Sequence, residues 1–124
     1  MEKQKIAIIG LGRIGSAFLN ALQKKAAHLE LACVAEVAET PAKAHARSAG
    51  IRVATLDEIV AMGDGIDVIF ELTGLPGVRK ELRIKLGAAE NHHTVIASET
   101  IARLIWSLIS DEALPTIAGR KTGY

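Results

Sequence analysis

The sequence holds a single cysteine, Cys33, which excludes an internal disulfide and leaves no set of thiolates for a structural zinc site. Charge of one sign is also missing: 15 Lys and Arg stand against 14 Asp and Glu, a net of +1. There is therefore no broad electrostatic footprint for nucleic acid or an anionic membrane, and an anionic partner has to be met locally. No apolar run reaches the roughly 20 residues that a membrane span needs. The charged start, Met1-Glu2-Lys3-Gln4-Lys5, leads into an apolar run too short for the core of an export signal. His28, His45, His92 and His93 are scattered without the spacing of a metal site or a catalytic dyad, and are expected at the surface. Internal repeats and low-complexity linkers are absent. With 124 residues, 49% of them hydrophobic, the chain suits one cytoplasmic domain with an ordinary core.

What is present alternates between two patterns. Lys5 to Ile9 is a nearly continuous apolar run that ends at a glycine cluster, as in a strand buried on both faces of a parallel sheet. From Ile14, apolar residues recur at helical spacing through Phe18, Leu19 and Leu22, and Lys24 and Lys25 follow where positive charge suits the helix dipole. Leu31 to Val37 reads as a second strand, and Pro41 opens an alanine-rich helix that runs to about Gly50. Ile51 to Ala54 is a third, weaker strand. Thr55-Leu56-Asp57-Glu58 has the capping-box arrangement at the start of a short helix. Asp67 to Glu71 and His93 to Ala97 supply the fourth and fifth strands, separated by a helix from Val78 to Leu86. Ser98 is placed to cap a last helix with an Ile101, Leu104, Ile105, Leu108 stripe, which Leu114-Pro115 stops. Strands alternating with helices across short turns predict an α/β, doubly wound parallel sheet of Rossmann type, with order 3-2-1-4-5. Residues 1–115 form that domain, and 116–124 are a loosely held tail or the start of a linker. Ligands of such sheets bind beyond the carboxyl ends of the strands where the order reverses, here between the first and fourth.

At that point lies Gly10-Leu11-Gly12-Arg13-Ile14-Gly15. The first glycine permits a tight turn, the second lets backbone approach a pyrophosphate, and the third lets helix and strand pack closely. The amides of the helix that opens here, from Arg13 and Ile14 onward, bind phosphate without side-chain charge, in keeping with the near-neutral composition. A glycine pattern alone is weak, but this one follows a strand, opens a helix and lies about 20 residues before an acid at a strand end. That acid, Glu36, is placed to accept hydrogen bonds from the adenosine ribose and to repel a 2′-phosphate. Lys43 and Arg47 come only later, on the next helix, so NAD is favoured over NADP. The competing reading makes Glu36 a solvated turn residue, with Glu39 or neither acid at the ribose.

Leu72-Thr73-Gly74, after the fourth strand, forms a second contact region for the nicotinamide side. Glu71 either orients this loop or faces the nicotinamide, and a structural role is at least as good a reading; no catalytic residue is assigned. Cys33 sits inside a strand as a small buried residue and not as a nucleophile. Trp106 falls off the stripe of the last helix, which leaves it to cover a sheet edge or to contact another subunit or domain.

On these residues the chain resembles the coenzyme domains of the glucose-fructose oxidoreductase and inositol dehydrogenase superfamily, and those of homoserine and aspartate dehydrogenases. Lys5 to Gly15 is similar to their opening, and Asp67-Val68-Ile69-Phe70-Glu71-Leu72-Thr73-Gly74 to their fourth strand and cofactor loop. The resemblance implies NAD(P) in the crevice. These enzymes commonly carry a lysine beside the nicotinamide after the fifth strand, whereas this chain has Ala97-Ser98-Glu99-Thr100. They also carry a substrate domain that extends beyond a length like this one. The first expectation is the coenzyme domain of an NAD-dependent oxidoreductase, completed by a second domain or a homodimer partner. The second is a regulatory module that senses NAD(H) level or redox state, since the Glu71-Leu72-Thr73-Gly74 loop and the Ile101 to Ile109 helix look similar to Rossmann modules fused to bacterial signalling domains. The third is a structural Rossmann-like domain that binds no dinucleotide.

Overall fold

Ile6, Ala7, Ile8 and Ile9 are all buried, because β1 (Gln4–Ile9) runs through the middle of a parallel sheet with helices on both sides. The computed structural model describes residues 3–24 and 28–109. Along these, β1 is followed by α1 (Arg13–Gln23), β2 (Leu29–Ala35), α2 (Pro41–Ser48), α3 (Leu56–Ala61), β3 (Val68–Glu71), α4 (Pro76–Ala88), β4 (Val95–Ala97) and α5 (Glu99–Ile109). The four strands lie in the order β2-β1-β3-β4, with every pair parallel.

The expected third strand, Ile51 to Ala54, is reduced to a single parallel bridge, Val34 to Val53, on the outer side of β2. Val34 N–H donates to Arg52 O and Ala54 N–H to Val34 O, so the segment occupies the expected place in the order 3-2-1-4-5 without forming a longer ladder. Other boundaries move by a few residues. β2 stops at Ala35, two residues before Val37, because Glu36 turns back toward the glycine loop and leaves Val37 fully exposed. The last strand begins at Val95, since Asn91 accepts from the amides of His93 and Thr94 and holds that stretch in a turn. Pro76 starts α4 two residues before Val78, as suits a residue with no amide hydrogen to donate.

Successive residues of β1 point to opposite layers, as strand geometry requires. Ile6 and Ile8 pack with Val34, Phe70, Ile14, Phe18, Leu19 and Leu22 under α1 and α5, while Ala7 and Ile9 pack with Cys33, Ile69, Ile59, Leu82 and Leu86 under α3 and α4. Phe18 centres the first layer, with ring centroids 4.8 Å from Phe70 and 6.4 Å from Trp106. Tilted ring pairs of this kind contribute about 0.5 to 1.5 kcal/mol beyond their buried area.

In β2 the pairing with β1 slips by one residue: Ile6 is opposite Leu31 and Ala7 opposite Cys33, so Ala32 is passed over. Leu31 and Val34 therefore belong to the α1 layer, and Ala32, Cys33 and Ala35 to the other.

The last helix corrects an expectation. Trp106 is buried, together with Ala102, whereas Ile101, Leu104 and Leu108 of the expected inward stripe are exposed. α5 is apolar around most of its girth, so the aliphatic spacing did not identify the inner face. The large indole and the small alanine that lets the helix approach the sheet decide it. The expected stop at Leu114-Pro115 and the tail 116–124 lie outside the described residues. α1 extends to Gln23 with Lys24 at its C-cap, and Lys25 also lies outside them. No helix among the described residues is long and apolar enough to cross a membrane.

Candidate functional site

The carboxyl ends of β1, β2 and β3 open onto a cleft of about 760 Å3. Its walls include Gly10, Gly12, Arg13 and Ile14 from the glycine turn, Glu36 and Val37 after β2, and Leu72 and Thr73 after β3. A volume of several hundred Å3 is the size of an ordinary small-molecule or cofactor site. A smaller cavity of about 210 Å3, lined by Ile6, Leu22, Gln23, Leu29, Leu31 and Ile51, contains no titratable group.

The three glycines divide the expected work. Gly10 has φ +95°, a region that favours glycine, and a β-carbon there would meet the Leu72 carbonyl and the Thr73 nitrogen at 2.9 Å. At Gly15 a β-carbon would lie 1.8 Å from the Gly10 carbonyl oxygen, so the first turn of α1 seats directly on the loop. A β-carbon on Gly12 would meet nothing within 4 Å, and it would project into open space beside the cleft. Gly12 also starts α1 without a side-chain cap, and no acid stands in the first turn. The first-turn amides and the positive end of the dipole are thus left for an anion.

Glu36 stands at the mouth of the turn. Leu11 N–H donates to its Oε1 (2.8 Å) and Ala38 N–H to its Oε2 (3.0 Å), which fixes the carboxylate in the cleft wall. Each oxygen keeps further acceptor capacity, the requirement for binding vicinal hydroxyls. Of the two acids weighed for this position, Glu36 lines the cleft and Glu39 does not.

The loop after β3 is organised by Glu71, a carboxylate only 2% exposed. It accepts from both the hydroxyl and the amide of Thr73, and Thr73 Oγ1 in turn accepts from Leu75 N–H (3.0 Å). The Thr73 hydroxyl is therefore committed to the loop, and Glu71 does the orienting. Leu72 and Thr73 face the cleft, whereas Gly74 and Gly15 are absent from its walls and shape the turns behind it.

Residues not singled out as binding groups complete the walls: Lys43 and Arg47 from α2, Thr55 and Leu56 at the start of α3, and Leu75 and Val78 before and within α4. Lys43 is only 8% exposed. Glu39, Lys43 and Arg47 form a ladder at four-residue spacing, the sequence signal that was there to be read. Lys43 Nζ lies 2.9 Å from Glu39 Oε1 and Arg47 Nη1 3.0 Å from Glu39 Oε2. Hydrogen bonds from Arg47, then Lys43, hold the Glu39 carboxyl below its usual range.

Where the resemblance implies a lysine after the last strand, Glu99 instead pairs with Arg79 at 2.9 Å, tying α5 to α4. Cys33 lies fully buried below the cleft, and burial pushes its thiol up to about 11. His45 contacts Gln23 and His93 contacts Asp67, and all four histidines are exposed. No cluster of metal-ligating side chains occurs among the described residues.

A glycine turn that opens a helix, with a carboxylate at the end of the neighbouring strand and a cleft at the reversal of strand order, defines a dinucleotide-binding Rossmann domain. The chain belongs to the oxidoreductase family with an NAD-binding Rossmann fold, whose model matches residues 4–98. It is similar in structure to scyllo-inositol dehydrogenase from Lactobacillus casei, solved with bound NAD(H) and scyllo-inositol (TM-score 0.57, 21% identity, 86% of this chain and 34% of that one). It is also similar to S. aureus homoserine dehydrogenase (TM-score 0.55, 17% identity, 88% and 30%). A third similar structure is the WlbA dehydrogenase from Bordetella pertussis in complex with NADH and UDP-GlcNAcA (TM-score 0.58, 18% identity, 87% and 35%). The chain thus spans about a third of these solved structures, and at such identities the likeness is one of fold. No curated protein sequence matches it.

Proposed function

We propose that this chain is the coenzyme domain of an NAD-dependent oxidoreductase, binding the cofactor across the glycine turn. The observation that carries the reading is the open position at Gly12, flanked by uncapped α1 amides on one side and the fixed Glu36 carboxylate on the other. In this reading Gly10, Gly12, Arg13 and Ile14 form the pyrophosphate cradle, Gly15 seats α1 against it, and Glu36 binds the adenosine ribose. Leu72 and Thr73 form the wall on the nicotinamide side, and Gly74 shapes the turn behind it. The bound nicotinamide supplies hydride acceptance and donation. The chain's own groups bind and orient it, and substrate-activating groups come from a further domain or a second copy. The exposed Ile101, Leu104 and Leu108 on α5 support such a neighbour, and the lone buried cysteine suits a reducing cytoplasm.

The engagement of Glu99 by Arg79, where a lysine is implied, favours a second reading, a module that binds NAD(H) to report its level. Both readings require NAD(H) binding. The test is the melting temperature with NAD+, NADH, NADP+ and NADPH. Ligand at about 100 times its dissociation constant adds roughly 2.7 kcal/mol to stability. A shift selective for NAD(H) is expected, and no shift with any nucleotide would leave only a structural domain.

A further inference from the structure

Two cations line the cleft on the same side as Glu36, and both are already engaged. Lys43 and Arg47 stand one helical turn apart on α2, and the start of that helix is fixed by Thr40, whose hydroxyl accepts from Lys43 N–H at 3.1 Å. Glu39, just before the cap, bridges them with its two oxygens, while its own side chain is 70% exposed and outside the cleft wall. Lys43, nearly buried against the wall, has little freedom to turn elsewhere.

We propose that Glu39 determines the nucleotide preference of this site by occupying Lys43 and Arg47, which otherwise form a receptor for the 2′-phosphate of NADP(H). The inference rests on the cleft being the NAD(H) site. Its basis is local charge. Glu36, Glu39, Lys43 and Arg47 sum to zero formal charge, which suits a ribose with neutral hydroxyls. A 2′-phosphate brings between one and two negative charges and needs donors aimed at it. It meets Glu36 on one side, and on the other two cations whose nearest N–H groups donate to Glu39. Removing Glu39 leaves the group with a net positive charge and frees the Arg47 guanidinium, whose planar donors match phosphate geometry. Glu36 excludes the phosphate by direct repulsion, and Glu39 excludes it by withholding its partners.

The test compares NADH and NADPH dissociation constants, read by nicotinamide fluorescence, for the wild type, Glu39→Gln, Glu39→Ala and Glu39→Gln with Arg47→Met. The ratio of NADPH to NADH affinity should rise about tenfold in both single variants at low salt, the worth of one or two charge-assisted hydrogen bonds. The gain should shrink at high salt and disappear when Arg47 is also replaced. An unchanged ratio in both single variants, with NADH still bound by the wild type, overturns the inference and leaves the cofactor site intact; the ion pairs then only stiffen α2. A wild type that binds neither nucleotide overturns the cofactor reading itself.

Discussion

A β-carbon on Gly15 collides with the Gly10 carbonyl at 1.8 Å, and one on Gly12 meets nothing within 4 Å, so the same substitution at the two positions separates folding from binding. Gly15→Ala must push α1 off the loop and is expected to cost about 1 to 3 kcal/mol, read as a lower urea midpoint. Gly12→Ala should leave that midpoint in place and weaken NADH binding alone. A parallel loss of stability in both would mean that Gly12 has a packing role. Residue identity also predicts the behaviour of the thiol. With its ionisation raised to about 11 by burial, Cys33 should resist a thiol reagent at pH 8 in the native state and react at once in denaturant. The glycine turn and Glu36 were legible in the sequence because their spacing is local. The cations of α2 were not assigned to the cleft, because only the three-dimensional path from Glu36 into α2 brings Lys43 and Arg47 to its wall.

Among the elements, α5 offers the sharpest contrast between sequence and structure. Trp106→Ala removes the indole that packs on Phe18 and is expected to cost about 3 to 5 kcal/mol in chemical denaturation. Leu104→Ser, on the exposed side, should change stability by no more than about 0.5 kcal/mol. The reverse ranking would mean that the helix turns its aliphatic stripe inward. Periodicity placed α1 and α5 but could not orient α5, whose apolar arc takes in more than half of the circumference opposite Glu99, Arg103 and Ser107. Where a capping signal accompanied the pattern the boundary was exact to a residue: the Thr55 hydroxyl accepts from Glu58 N–H and the Glu58 carboxylate from Thr55 N–H, as their spacing required. Strand ends were less legible, since β2 ends where a side chain bonds backward to Leu11, a long-range event with no local signature.

At the scale of the whole molecule, one side chain joins the three strands at the end of the sheet opposite the cleft. Asp67, just before β3, accepts from Lys5 N–H (2.8 Å) and sits 2.6 Å from His93 Nε2 before β4. The Lys5 amide, then His93, hold its carboxyl below the usual value of 3.8. Because the folded state lowers this ionisation, the stabilisation is complete above pH 3.8 and is lost as pH falls further through the folded-state value. Asp67→Asn should therefore melt below the wild type at pH 7, with the gap closing as the pH drops below 4; a gap that persists unchanged in acid would assign the difference to shape and not to charge. Between this staple and the cleft runs β2, where Ala32 acts as a change of phase. Upstream of it, Leu29 and Leu31 keep time with the α1 layer; downstream, a reset count sends Cys33 and Ala35 to the opposite layer and fixes which way Glu36 leaves the strand. Deleting Ala32 would leave both halves on their present layers, since Leu31 and Cys33 already pair with the successive residues Ile6 and Ala7, whereas deleting a residue after Cys33 would misdirect the acid and spare the upstream core. A single alanine is thus spare to the ladder, and the direction in which the strand hands Glu36 to the ligand wall depends on the count of residues after it.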